Sequence, residues 1–118
     1  MGWQRDSRTL YIAGAPQASV TASKQSMTRV ARKFLIRGEV QGVGYRFFAQ
    51  RAAARHQVVG YVRNLLDGSV ESVAEGPANS VEAFKHDLAT GPRFSAVGQI
   101  EEINLEPTGQ YSSFRIEG

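Results

Sequence analysis

The chain contains no cysteine among its 118 residues. That absence excludes a disulfide framework, a thiolate nucleophile and any zinc or iron–sulfur site built on cysteine. A chain without cysteine fits a reducing compartment, and we expect a cytoplasmic protein. At this length the chain is long enough for one compact domain and too short for two.

A long apolar run is also missing. The longest one near the N-terminus is LYIAGA, residues 10–15. It is too short for a membrane span or for the core of a secretory signal. We therefore expect no membrane partner.

Most of the chain lacks an excess of either charge. The net charge is +3, but residues 1–30 hold four basic side chains against one acidic, and residues 31–118 hold ten of each. A nucleic-acid-binding domain normally carries a basic face. We therefore expect no nucleic-acid partner.

Residues 1–31 show no sustained period of either strand or helix and are rich in Ser, Thr, Ala and Gln. This composition predicts a flexible N-terminal extension. Two alternatives stay open: the segment contains Arg and Ser and is nearly free of acids, as transit peptides are, and Met27 offers a shorter start. The folded domain is predicted to cover residues 32–118.

From Arg32 onward the apolar residues follow regular periods. Asp67-Gly68 predicts a hairpin turn, Asn79 with Glu82 predicts a helix N-cap, and Gly91-Pro92 predicts a helix end. The predicted strands cover residues 32–40, 58–64, 70–74 and 96–107, with a possible short extra strand at 113–118, and the predicted helices cover residues 45–57 and 79–90.

The order β-α-β-β-α-β is typical of an α+β, ferredoxin-like sandwich, in which two helices cover one face of an antiparallel sheet. Each predicted helix carries a single apolar stripe, which agrees with packing on one side only. The two stripes consist of Tyr45, Phe48, Ala49 and Ala52 in the first helix and Val81, Phe84 and Leu88 in the second.

The segment GEVQGVGYR, residues 38–46, has glycines at positions 38, 42 and 44 and ends on Arg46. It is not a Walker A loop, since Gly-Lys-Ser/Thr is absent, and it lacks the third glycine of a dinucleotide fingerprint. A glycine-rich turn before a helix with an arginine in its first turn can bind phosphate. From these residues alone, an anion site and a structural turn with an exposed arginine are equally good interpretations.

Two longer stretches resemble the signatures of the acylphosphatase family. They are GEVQGVGYRFFAQRAA, residues 38–53, and GYVRNLLDGSVESVAEG, residues 60–76. The likeness extends over residues 32–117, and Tyr45 stands where the family more often has Phe.

That resemblance implies hydrolysis of a small-molecule acyl phosphate, with no cofactor and no metal. It implies Arg46 and Asn64 as the catalytic residues, with Arg46 stabilising the phosphate and Asn64 orienting the attacking water. The loop 38–44 would hold the phosphate through its backbone amides, and we expect a monomer. The implied phosphate-binding residues are Gly38, Gln41, Gly42, Val43, Gly44, Tyr45 and Arg46.

Other functions and residues carry less weight. The alternatives are a ferredoxin-like module that binds an anion or RNA without turnover, and a carbamoyl phosphate domain like that of hydrogenase maturation proteins. His56 and His86 have no neighbour at metal-ligand spacing. The remaining polar candidates are interpreted as surface or turn residues: Arg37, Arg63 and Asp67.

Overall fold

The computed structural model describes residues 28–118. They form β1 (Arg29–Glu39), α1 (Tyr45–His56), β2 (Val59–Asn64), β3 (Val70–Pro77), α2 (Ala78–Thr90), β4 (Ala96–Leu105) and β5 (Phe114–Glu117). Strand β1 thus includes the last residues that the sequence assigned to the extension. The predictions of a flexible extension, of a transit peptide and of a start at Met27 otherwise lie outside the described residues.

The five strands form one sheet in the order β4-β1-β3-β2-β5. Four of them, β4, β1, β3 and β2, pair antiparallel, as the ferredoxin-like prediction requires. The predicted extra strand exists as β5, and it lies parallel to β2 at the edge. The sheet is therefore antiparallel in its body and mixed at that edge.

Both helices bury apolar side chains against the same face of the sheet. On α1 the buried residues are Tyr45, Ala49, Ala52 and Ala53, whereas Phe48 of the predicted stripe is half-buried. On α2 the buried residues are the predicted Val81, Phe84 and Leu88. The Phe84 ring lies 6.3 Å from that of Phe34 in β1 and 5.4 Å from that of Phe114 in β5, measured between centroids. This shared aromatic core fixes the C-terminal strand against the helix layer.

Strand β3 occupies the centre of the sheet and is buried on both faces. A strand with alternating apolar residues is typically buried on one face only. The segment after β4 covers that second face, because Thr108 and Gly109 donate hydrogen bonds to Glu75. Alternation alone carries no information about this long-range contact.

The predicted N-cap of the second helix is wrong. Helix α2 begins at Ala78, its N-cap is Pro77, and no side chain caps it. The Ala78 N–H donates instead to the Thr28 carbonyl at 2.9 Å, and Asn79 is exposed in the first turn. A backbone acceptor from the start of β1 thus replaces the expected side-chain cap.

The predicted end of that helix is confirmed. The chain leaves α2 at Gly91, whose φ of 71° suits glycine, and the Gly91 N–H donates to the Asp87 carbonyl. Within residues 28–118, neither helix is long and apolar enough to span a membrane.

Candidate active site

The turn between β1 and α1 depends on two glycines in the left-handed region. Gly42 has φ 76° and Gly44 has φ 75°. A Cβ at either position would meet no atom within 4 Å. The requirement is therefore conformational, because other residues are strained at such φ values.

Gly38 has a different role in the fold. It lies within β1 at a bulge, with φ 134°, where a Cβ would come within 2.2 Å of the Ala96 carbonyl oxygen. The close approach of β4 thus requires glycine here. Although the resemblance implied that Gly38 binds phosphate, it does not line the pocket described below.

Helix α1 begins directly after the turn, with Gly44 as its N-cap. No side chain caps this N-terminus, and no acidic residue occupies the first turn. The first backbone N–H groups of a helix have no partner within the helix, and the helix dipole adds partial positive charge. This end of α1 therefore presents donors and positive potential to the pocket.

Arg46 lies in that first turn and is half-buried. Its Nη1 donates a hydrogen bond to the Glu117 carbonyl of β5 at 3.1 Å. This contact fixes the guanidinium from one side, while the planar fork keeps further N–H donors for another acceptor.

Gln41 connects the turn to the β2–β3 hairpin. Its Nε2 donates to the carbonyl oxygens of Leu65 and Ser69, both at 2.8 Å. Leu65 directly follows Asn64, so the side chain of Gln41 fastens the glycine turn to the end of β2. The sequence had implied only a backbone donor at Gln41, because a side-chain contact with a distant hairpin leaves no local signal.

Asn64 is the last residue of β2, where it pairs with Val70 of β3. Among residues 28–118, its Oδ1 is the one buried side-chain N or O atom without a hydrogen-bond partner. A buried acceptor left unpaired costs about 1–3 kcal/mol, and native proteins rarely contain one. The Asn64 amide therefore holds an acceptor ready for a group from outside the fold.

These elements converge on a pocket of about 220 Å³. Of the predicted site residues, it brings together Gly42, Gly44, Tyr45, Arg46 and Asn64. Gln41 and Val43 do not line it. The remaining lining residues are apolar, and the sequence did not indicate them: Val40, Phe47 and Ile116.

Tyr45 contributes to this pocket while its side chain points into the core. The residue is 2% exposed, and its hydroxyl donates to the Leu88 carbonyl at 2.6 Å. Burial raises the pKa of the Tyr45 phenol well above its usual value. Its hydroxyl is therefore neutral and already bonded, which leaves the backbone N–H as the part of Tyr45 suited to an anion.

The residues given less weight form local pairs. His56 Nε2 and Arg55 both contact Asp87 Oδ2 at 2.8 Å. Burial raises the pKa of Asp87, but the hydrogen bonds of Arg55 and His56 outweigh it and hold that pKa below its usual value. No group of three or more potential metal ligands occurs in the described part of the chain.

Arg37, Arg63 and Asp67 also form ion pairs or turn contacts. Arg63 binds Glu71 at 2.6 Å, and Arg37 lies 3.5 Å from Asp67. Asp67 accepts the Ser69 N–H inside the predicted hairpin turn. These contacts agree with the surface and turn roles expected from the sequence.

Several known proteins with similar sequences and structures are acylphosphatases. A family model for acylphosphatases matches residues 32–116. The acylphosphatase of Koribacter versatilis is 41% identical over 105 residues, which cover 86% of this chain and 96% of the relative. That of Solibacter usitatus is 51% identical over 86 residues, covering 73% and 88%. The crystal structure of acylphosphatase from Bacillus subtilis superimposes with a TM-score of 0.73 at 34% identity, covering 75% of this chain and 99% of that one.

Proposed function

The chain belongs to the acylphosphatase family and is an enzyme that hydrolyses acyl phosphates, and on that premise we propose that Arg46 and Asn64 divide the reaction between them. Arg46 and the turn amides hold the phosphoryl group, and Asn64 orients the attacking water. The observation that carries this proposal is the buried, unpaired Oδ1 of Asn64 in the same pocket as Arg46.

The proposed binding of the phosphoryl group follows from its negative charge. A transferring phosphoryl group spreads negative charge over its equatorial oxygens, so catalysis depends mainly on positioned donors and cations. The free N–H groups at the start of α1 and the guanidinium of Arg46 are such donors. Because the Glu117 carbonyl already fixes Arg46, little side-chain freedom is lost when substrate binds.

The proposed orientation of the attacking water follows from the amide of Asn64. Water that donates a hydrogen bond to Oδ1 keeps a lone pair to direct at phosphorus. An amide is no base at neutral pH, so it orients water without removing a proton. Its neutrality also adds no negative charge beside an anionic substrate.

The bond changes balance with these groups alone. The water oxygen forms a bond to phosphorus while the bond from phosphorus to the acyl oxygen breaks, and the acyl group leaves as a carboxylate. The proton of the water passes to an oxygen of the phosphate, which departs as inorganic phosphate. A carboxylate is a weak base, so it leaves without a strong general acid.

Hydrolysis of benzoyl phosphate in the presence of a chelator tests this proposal. The wild-type chain should turn over substrate, since neither proposed role uses a metal. Arg46→Ala should reduce kcat/KM by about 10²–10³-fold, the usual cost of one preorganised donor. Arg115→Ala is the matched control, because Arg115 is an exposed arginine on the same strand as Glu117.

Three results would count against the proposal. A folded wild-type chain that binds phosphate without turnover would favour the binding module considered above. Activity lost with chelator and restored by a divalent metal would exclude the metal-free reaction. An Arg46→Ala variant as active as Arg115→Ala would remove Arg46 from the mechanism.

A further inference from the structure

The pocket has an apolar side that neither phosphate binding nor water positioning uses. Phe47 is 58% exposed and Ile116 is 39% exposed, and both line the pocket beside Arg46 and Asn64. We propose that these two residues, here called the acyl shelf, bind the acyl group of the substrate and favour apolar or aromatic acyl groups. This inference rests on the proposed function of the same pocket.

The positions of the two residues follow from their neighbours in the chain. Phe47 directly follows Arg46 in the first turn of α1, and Ile116 directly precedes Glu117, whose carbonyl anchors Arg46. In an acyl phosphate only one oxygen separates the phosphorus from the acyl carbon. Since Phe47 and Ile116 line the same pocket as Arg46, an acyl group whose phosphate lies against Arg46 is within reach of both.

The exposed ring of Phe47 has a support of its own. The guanidinium carbon of Arg51, one helical turn further along α1, lies 5.3 Å from the ring centroid. Such a cation–π contact stabilises an aromatic ring at an exposed position. The ring is therefore held at the pocket rather than buried in the core.

The pocket is small. Its volume of about 220 Å³ lies below the range of about 300–1,000 Å³ typical of pockets for drug-sized ligands. A small acyl phosphate fits this scale. The apolar shelf then selects among small acyl groups by the apolar surface they bury.

The ratio of two KM values tests the acyl shelf. For the wild-type chain, Phe47→Ala and Ile116→Ala, KM is measured with benzoyl phosphate and with acetyl phosphate. Loss of the ring should raise the ratio of the benzoyl to the acetyl value by about three- to tenfold, because aromatic contacts are of that strength. Ile116→Ala should raise it in the same direction by less. The inhibition constant of inorganic phosphate should stay constant, since it reports on the phosphate side.

Phe94→Ala is the matched control. Phe94 is also an exposed phenylalanine, at 79%, with an arginine, Arg93, 5.7 Å from its ring centroid, but it does not line the pocket. Its substitution should leave the KM ratio at the wild-type value. Circular dichroism of all variants confirms that each is folded.

The outcomes separate the acyl shelf from the proposed function. If the wild type hydrolyses both substrates and Phe47→Ala leaves the ratio unchanged, the shelf is excluded while the enzyme mechanism stands. If Phe47→Ala dissociates a dimer and leaves the ratio unchanged, the apolar surface binds a second copy and the shelf is equally excluded. If the wild type hydrolyses neither substrate, the proposed function fails and the inference fails with it.

Discussion

Two polar side chains with buried oxygen atoms, on neighbouring strands, differ in their hydrogen bonding. Glu75 on β3 is 1% exposed, and its carboxylate accepts three hydrogen bonds. Asn64 at the end of β2 has a buried Oδ1 that accepts none from the described residues. A buried polar group that stabilises the fold is fully paired, whereas the unpaired one lies in the pocket with Arg46.

Glu75 attaches the segment between β4 and β5 to the sheet through hydrogen bonds. The Thr108 N–H and hydroxyl reach Glu75 Oε2 at 3.0 and 2.8 Å, and the Gly109 N–H reaches Oε1 at 3.1 Å. Burial raises the pKa of Glu75, but these hydrogen bonds outweigh it and leave the pKa below its usual value. The carboxylate thus holds the segment between β4 and β5 over the open face of the sheet.

The candidate active site, in contrast, contains donors and an acceptor that the fold does not pair. Helix α1 lacks a side-chain cap, and the turn before it contains two glycines at positive φ. Such arrangements cost stability, and proteins keep them where a ligand completes them. Substitutions in the two regions should therefore separate activity from stability.

The largest effect on stability is expected from Glu75→Ala. Removing the carboxylate deprives three donors of their acceptor, so the free energy of unfolding should fall by about 1–3 kcal/mol. Because Glu75 does not line the pocket, kcat should be unchanged. Urea denaturation and hydrolysis of benzoyl phosphate measure the two quantities. Glu106→Ala, at an exposed position, is the control. A large loss of kcat in the Glu75 variant would contradict the view that this region affects stability and not activity.

A smaller loss of stability, joined to a loss of activity, is expected from Gln41→Ala. The substitution removes two hydrogen bonds between the glycine turn and the hairpin after Asn64. Both bonds join neutral groups at a half-buried side chain, so the free energy of unfolding should fall by about 1 kcal/mol in total. Since the turn and Asn64 then lose their fixed relation, kcat should fall by about tenfold. KM should change less than kcat, because Arg46 is untouched. Gln99→Ala, at an exposed position of β4, is the control. A Gln41 variant with normal kcat would show that the two hydrogen bonds of the Gln41 side chain only stabilise the fold.

The smallest effect is the pH dependence that Glu75→Gln removes. The folded pKa of Glu75 is below its unfolded value, so its ionised form stabilises the fold above the ordinary glutamate pKa of about 4.3. That contribution is lost as pH falls through the lower folded pKa. From pH 7 to acid, the free energy of unfolding should therefore decline less in Glu75→Gln than in the wild type. Asp67 and Asp87, whose pKa values are also lowered, supply the decline common to both proteins. Equal slopes would show that Glu75 does not stabilise the fold as a carboxylate.

Local patterns predicted most of the fold. Helical spacing identified the buried stripe of α2, and the Asp67-Gly68 pair identified the hairpin. The N-cap of α2 was missed because its acceptor is a backbone carbonyl at the start of β1. The burial of both faces of β3 also depends on a long-range contact, since Thr108 reaches Glu75 from a distant segment.

In the candidate site, too, the residues in local motifs were predicted and the long-range contacts were not. Arg46 and Asn64 belong to sequence motifs, and the structure places both in one pocket. The side-chain hydrogen bonds of Gln41 and the placing of Phe47 and Ile116 in one pocket depend on how β5 and the hairpin fold against α1. Neither the periodicity of apolar residues nor the spacing within a motif predicts such long-range contacts.

The most direct test of the mechanism is kcat for benzoyl phosphate in Asn64→Ala, measured beside wild type and the exposed-site control Asn104→Ala. If Asn64 orients the attacking water, kcat should fall by about 10²–10³-fold, as for loss of a preorganised polar group. Because the substitution also removes an unpaired buried acceptor, the free energy of unfolding of the variant should be at least that of the wild type. A stable Asn64→Ala variant with the kcat of Asn104→Ala would contradict the mechanism.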